Sequence, residues 1–146
     1  MSRAPSALAS SANRCFVCGP GNPRGLQVRF RLEGEVCRAE FTPDDECVGY
    51  EGVTHGGILF SLLDDVMANW VFLRGERCTT ARVDIRYRQP LPVGVRVELE
   101  GRLRRRRGRV AMLEGQAIRH DDGTVVAEAS GSFIVEPWTE AISEED

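Results

Sequence analysis

Hydrophobic and polar positions alternate through most of this chain, and the alternation breaks down once, near the middle. In residues 26–43, Leu26, Val28, Phe30 and Leu32 alternate with Gln27, Arg29 and Arg31. After Gly34, Val36, Ala39 and Phe41 continue on a return strand. A period of two with a glycine between the runs predicts a β-hairpin, with some irregularity in its second strand. Residues 44–57 read as a loop. Between about Gly57 and Arg74 the period changes. Ile58, Leu59, Leu62, Leu63, Val66, Met67, Trp70 and Val71 recur at one, three and four residues, which predicts a helix with a broad apolar face. Gly75 follows as its C-terminal cap. Residues 79–89, 95–107, 109–121 and 124–137 alternate again, and Asp121-Asp122-Gly123 marks a turn. A hairpin, one long helix and four strands in a meander predict an α+β domain with the helix on an antiparallel sheet.

The helix is apolar over most of its circumference, so it should lie centrally, yet it carries two adjacent acids, Asp64 and Asp65. An acid on a helix commonly faces solvent or bonds locally. A carboxylate inside a core needs a partner. The helix also opens on His55-Gly56-Gly57. Glycines place unshielded N–H groups at a helix N-terminus, where they attract an anion or a developing oxyanion, although a plain turn would look the same. With a carboxylate further along the helix, the two features resemble an acyl-transfer site: an oxyanion donor plus a base or nucleophile.

Composition narrows the field. The 146 residues suit one domain, and the net charge of -3 gives no basic field for a nucleic-acid partner. All 19 basic residues are arginine, and with no lysine a Schiff-base mechanism is excluded. An odd count of cysteines, five, reads as reduced thiols in a cytoplasmic protein rather than a disulfide framework. No stretch approaches the ~20 apolar residues of a membrane span. Residues 1–14 lack an apolar run of signal-peptide length. They read as a short disordered tail, with a serine-rich, acid-free transit peptide as the alternative. The domain is expected at residues 15–137, followed by an acidic tail at 138–146.

The stretch "VTHGGILFSLLDDVMANW" resembles the signature of the hotdog-fold acyl-CoA thioesterases, in their PaaI-like (phenylacetic-acid-pathway) branch. "CFVCGPGNPRGLQVRF" and "VDIRYRQPLPVG" extend the resemblance over roughly residues 15–137. It implies an antiparallel sheet wrapped around one long central helix. It also implies hydrolysis of an acyl-CoA to a free acid and CoA without a cofactor. By resemblance the Gly56 N–H polarises the thioester carbonyl, and Asp64 acts as general base or nucleophile. Thr80 assists the acid or the water. His55, Gly57, Met67 and Arg88 are assigned to substrate binding. Where some members carry an asparagine six residues before the histidine, this chain has Gly49. Asp65 is expected to face outward or pair with an arginine.

Spacing adds a physical argument. Eight residues at 1.5 Å rise separate Gly56 from Asp64 by about 12 Å along the axis. A reacting thioester carbon needs both groups within about 3–3.5 Å. One helix can hardly supply both, whereas two antiparallel copies across a two-fold axis can. A homodimer is therefore expected, and assembly of such dimers into a tetramer is expected beside it. Three other features read as structural. Cys15-x-x-Cys18 is half a zinc site with no second Cys-x-x-Cys or paired histidine, and Cys37, Cys47 and Cys78 are scattered, so no metal is assigned. Residues 102–109 read as a solvated arginine-rich hairpin tip rather than a phosphate-binding patch. His55 is expected to hold its loop through a hydrogen bond rather than act as a base. Val66, Met67, Trp70 and Phe72 hint at an apolar acyl group. The alternatives are a non-catalytic acyl-CoA-binding or ligand-sensing hotdog protein, and a hotdog dehydratase or hydratase.

Overall fold

A computed structural model describes residues 6–136. The acidic tail expected at 138–146 lies outside the described residues. The element order is α1 (Ser6–Ser11), β1 (Arg31–Glu33), β2 (Val36–Phe41), a 3-10 turn (Asp45–Cys47), α2 (Gly56–Phe72), β3 (Arg77–Tyr87), β4 (Val97–Arg107), β5 (Val110–Arg119) and β6 (Val125–Glu136). The segment read as a disordered tail thus contains a helical turn, and Leu8 within it is fully buried.

All six strands form one antiparallel sheet, in the order β1-β2-β4-β5-β6-β3. The expected four-strand meander is therefore corrected. Only β4, β5 and β6 follow one another, while β3 lies at the far edge and pairs with β6. The cause is the connection after β3. Pro90 and Pro92 cannot extend a ladder. Residues 88–96 instead run beside the loop before α2, where Thr54 N–H donates to Leu91 O and Val93 N–H to Gly52 O.

The first hairpin is shorter than its alternation suggests. Leu26 and Val28 donate backbone bonds to Phe16 and Val17, not to β2. Gln27 takes a φ of 58°, held by its side-chain amide on the carbonyls of Gly19 and Asn22. That left-handed residue interrupts the strand, which begins only at Arg31.

Helix α2 packs on the sheet and touches β2 through β6. Leu62, Leu63, Val66 and Met67 are fully buried against Leu99, Leu113, Ala117 and Phe133. Each large side chain so buried contributes about 1.5–3 kcal/mol. The helix seats closely because Gly101 and Gly115, paired across β4 and β5, lie beneath Val66. A Cβ on Gly101 would meet Val66 O at 2.6 Å. At the helix C-terminus Trp70 Nε1 donates to Glu35 O, and the Arg74 guanidinium lies 3.5 Å from the indole centroid. Arg74 also donates to Gly34 O, so the β1–β2 turn is tied to α2.

Candidate active site

The N-terminus of α2 is shaped by its cap. His55 is extended, with φ -62° and ψ 135°, and its Nδ1 accepts from Gly57 N–H at 2.8 Å. Its own N–H donates to Cys47 O at 2.7 Å. His55 thus holds the loop, as its position suggested. The Gly57 N–H is consumed by this cap. The Gly56 N–H, one residue earlier, has no protein acceptor among the described hydrogen bonds, as expected of a first helical residue.

Tyr87, at the end of β3, donates its hydroxyl to Gly56 O at 2.8 Å. Thr54, Gly56, Leu59, Tyr87, Arg88 and Leu91 border a cavity of about 210 Å³ at this helix end. The Thr54 hydroxyl is buried with no hydrogen-bond partner. Arg88 is exposed at the cavity mouth and pairs with Glu128 at 2.6 Å.

Two helical turns further on, Asp64 is half-buried and accepts a 2.8 Å hydrogen bond from Thr80 Oγ1. Burial pushes its carboxyl above the usual aspartate range, and the Thr80 bond offsets part of that rise. Thr80 sits on β3 beside a register shift between Thr80 and Arg82, and it is exposed. The Asp64–Thr80 pair therefore opens at the β3 edge of the sheet.

Asp65 corrects the expectation of an outward or arginine-paired acid. Its carboxylate accepts from Asn69 Nδ2 at 3.0 Å and lies 3.8 Å from Cys15 Sγ. Burial pushes its carboxyl up to about 6 against the bonds from Cys18, Cys15 and Asn69, with the Asp64 charge adding to the rise. Successive helical residues are about 100° apart, so Asp64 turns to β3 while Asp65 turns to the loop at Cys15–Cys18.

The remaining assignments divide. Gly56, His55 and Gly57 gather at one end of α2, and Asp64 and Thr80 form a second group along it. Met67, expected to bind substrate, is fully buried and packs toward Gly115, so it belongs to the core. Trp70 is likewise taken up by the Glu35 contact. At Gly49 a Cβ would stand 3.5 Å from His55, so a side chain there would lie against the cap. The arginine run is a hairpin tip turning at Gly108, with Arg106 paired to Glu76 and Arg104 to Glu114. Tyr87 and Thr54 were missed. Tyr87 reads in sequence as one more alternating strand residue, and only its pairing on β3 brings it to Gly56.

A twisted antiparallel sheet holding one long helix, with an open helix N-terminus and a hydroxyl-bonded carboxylate on that helix, defines the hotdog fold of thioester-processing proteins. The chain belongs to the thioesterase superfamily, which it matches over residues 51–126, the span holding both residue groups. It is 30% identical over 139 residues to the human acyl-coenzyme A thioesterase THEM5, covering 89% of this chain and 56% of that relative. The chain spans about half the length of the curated relatives it matches. A crystal structure of a thioesterase superfamily protein superposes with a TM-score of 0.76 at 28% identity, covering 84% of this chain and 60% of that one. The PaaI protein of the E. coli phenylacetic acid degradation operon shares the fold, with a TM-score of 0.72 at 17% identity over 78% of this chain and 83% of its own.

Proposed function

We propose that this chain hydrolyses an acyl-CoA to a free acid and CoA, at sites shared between two copies of itself. The observation that carries the reading is the half-buried Asp64, bonded by Thr80, on the same helix whose N-terminal Gly56 N–H is open. In the proposed step Asp64 takes a proton from water as the water attacks the thioester carbon. Thr80 holds the carboxylate in place. The carbonyl oxygen gathers charge against the Gly56 N–H, where the helix dipole adds partial positive charge. Collapse expels the CoA thiolate, which is protonated on release. Direct attack by Asp64 to form an anhydride would use the same residues.

Acyl-CoA is the substrate class because the curated relatives are named acyl-coenzyme A thioesterases. Both functional groups sit too far apart along α2 for one chain to complete the site, by the ~12 Å argument. The β3 edge supports a two-fold partner: it is an eleven-residue edge strand, and Thr79 through Arg82 on it are exposed. Edges that long are normally covered or blunted. We propose a homodimer through this edge, with dimers pairing into a tetramer. The chemistry uses no cofactor. Among the described residues no helix is long and apolar enough to cross a membrane, and the five cysteines are free. The free thiols support a cytoplasmic location.

A non-catalytic acyl-CoA binder would have no need of a carboxylate held by a hydroxyl at the opening. The test is a panel of acyl-CoAs with detection of released thiol, comparing the wild type with Asp64→Asn. Thiol release that depends on Asp64 supports the reading. Tight acyl-CoA binding without release would replace it with the binding role.

A further inference from the structure

The motif Cys15-x-x-Cys18 offers two ligands, and the sequence holds no second Cys-x-x-Cys or paired histidine to complete a site. The fold supplies a third. Asp65, fifty residues downstream of Cys15, is turned toward this loop, and the Cys15 Sγ, Cys18 Sγ and a carboxylate oxygen of Asp65 lie within 4.8 Å of one another.

We infer that these three residues bind a thiophilic divalent cation of the zinc class, tying the N-terminal loop to α2 one residue from Asp64. Four observations support this. First, the geometry is close to a metal's. Ligands at about 2.3 Å (sulfur) and 2.0 Å (oxygen) from tetrahedral zinc stand roughly 3.5–3.8 Å apart. Cys15 Sγ and Asp65 Oδ1 are already 3.8 Å apart, and all three ligand atoms lie within 4.8 Å, so binding needs a contraction of at most about 1 Å.

Second, the loop is built to turn tightly around the sulfurs. Gly19 N–H donates to Cys15 O, and Cys18 N–H points at Cys15 Sγ at 3.5 Å. A Cβ at Gly19 would lie 2.3 Å from Cys15 N, so only glycine fits there. Third, the neighbouring donors face the ligand atoms. Asn69 Nδ2 reaches Asp65 Oδ2 at 3.0 Å and Cys18 Sγ at 3.9 Å, an arrangement that holds ligands in place from behind. Fourth, the residues are sheltered without being sealed: Cys15, Cys18 and Asp65 are all partly buried, so solvent still reaches the cluster.

Binding would convert the two thiols to thiolates and release their two protons to solvent, with Asp65 as carboxylate. The ion is structural in this reading, and it is independent of the proposed hydrolysis. Asp64 faces β3, on another side of the helix, and is not a ligand.

The test uses the full chain, purified with a phosphine reductant, stripped by chelator and reloaded with Zn²⁺ or Co²⁺. We expect one metal per chain by elemental analysis. The cobalt form should show a sulfur-to-cobalt charge-transfer band and the intense visible absorption of a tetrahedral ion. Cys15→Ser and Cys18→Ser should each weaken Zn²⁺ affinity by about a hundredfold or more, and Cys47→Ser should leave it unchanged. If the serine variants fail to fold, Asp65→Asn, which keeps the side-chain volume, should still weaken affinity by about tenfold or more. Loading well below one metal per chain would overturn the site. So would a cobalt form without the sulfur band, or metal retained undiminished in Cys15→Ser or in folded Asp65→Asn.

Discussion

The hydroxyl of Thr80 donates to the carboxylate of Asp64 across 2.8 Å, joining the edge strand β3 to the central helix. The bond selects one acid of an adjacent pair. Asp64→Asn should lower turnover by a factor of about 10² or more while the far-ultraviolet circular dichroism stays native. Asp65→Asn should affect thermal stability more than turnover. Steady-state kinetics beside melting curves separate the two. Equal losses of turnover from both variants would remove Asp64 from its special role.

The proposed shared site can be tested by mixing two variants expected to be inactive, Asp64→Asn and Gly56→Pro. Proline suits the first helical position, and His55 already has the extended backbone that a residue before proline needs. On the Cβ side the nearest atoms to Gly56 belong to the Tyr87 ring and hydroxyl, no closer than 3.4 Å. Each homodimer should be nearly inactive. Co-refolding makes half the dimers mixed, and each mixed dimer has one intact site, so activity should return to about a quarter of wild type. Chains that fold and exchange but restore nothing would place the whole site within one protomer.

Tyr87 should act as a positioning residue through its bond to Gly56 O. Tyr87→Phe keeps the ring and removes only the hydroxyl, a loss of about 0.5–1.5 kcal/mol for a neutral hydrogen bond. We expect kcat to fall up to about tenfold with KM little changed. A KM effect alone would make Tyr87 a substrate contact instead.

The seating of α2 on the sheet gives a prediction about stability. Gly101→Ala would push a methyl group against the Val66 carbonyl, which is backbone and cannot swing aside. The cost should be about 1–3 kcal/mol, the usual range for overpacking. Alanine at Gly34, where nothing lies within 4 Å of a new Cβ, meets no clash, and any cost there should come from its φ of 62°. Urea unfolding of both variants would separate crowding from backbone strain.

Acid should weaken the β2–β4 pairing through Glu100. Burial raises its carboxyl, but the bonds from Arg38 and Arg102 prevail and hold it below its ordinary value of 4.5. A lowered folded value means that the stabilisation is present above pH 4.5 and is lost as pH falls through the folded value. The stability gap between wild type and Glu100→Gln should therefore be widest near neutrality and close below pH 4.5. Denaturant titrations at several pH values measure it. A gap that is constant with pH would show that the ion pairs contribute nothing.

The sequence alone specified the elements and their chemistry where the signal was local. The change of period from two to 3.6 marked α2, because helix and strand place side chains with different repeats. The His-Gly-Gly opening marked its N-terminus, because capping involves residues one or two apart. Thr80 could be assigned from a resemblance, and its partner lay sixteen residues away across a single connection. Tertiary structure decided everything that depends on which distant segments meet. It moved β3 to the sheet edge, since a proline-bearing connector excludes the tight turn a meander needs. It sealed Met67 in the core and brought Tyr87 to Gly56. It also turned Asp65 inward, toward Cys15 and Cys18. A helical repeat fixes the angle between Asp64 and Asp65 but not what stands opposite each one. That is set by long-range packing, to which neighbouring positions in the sequence carry no signal.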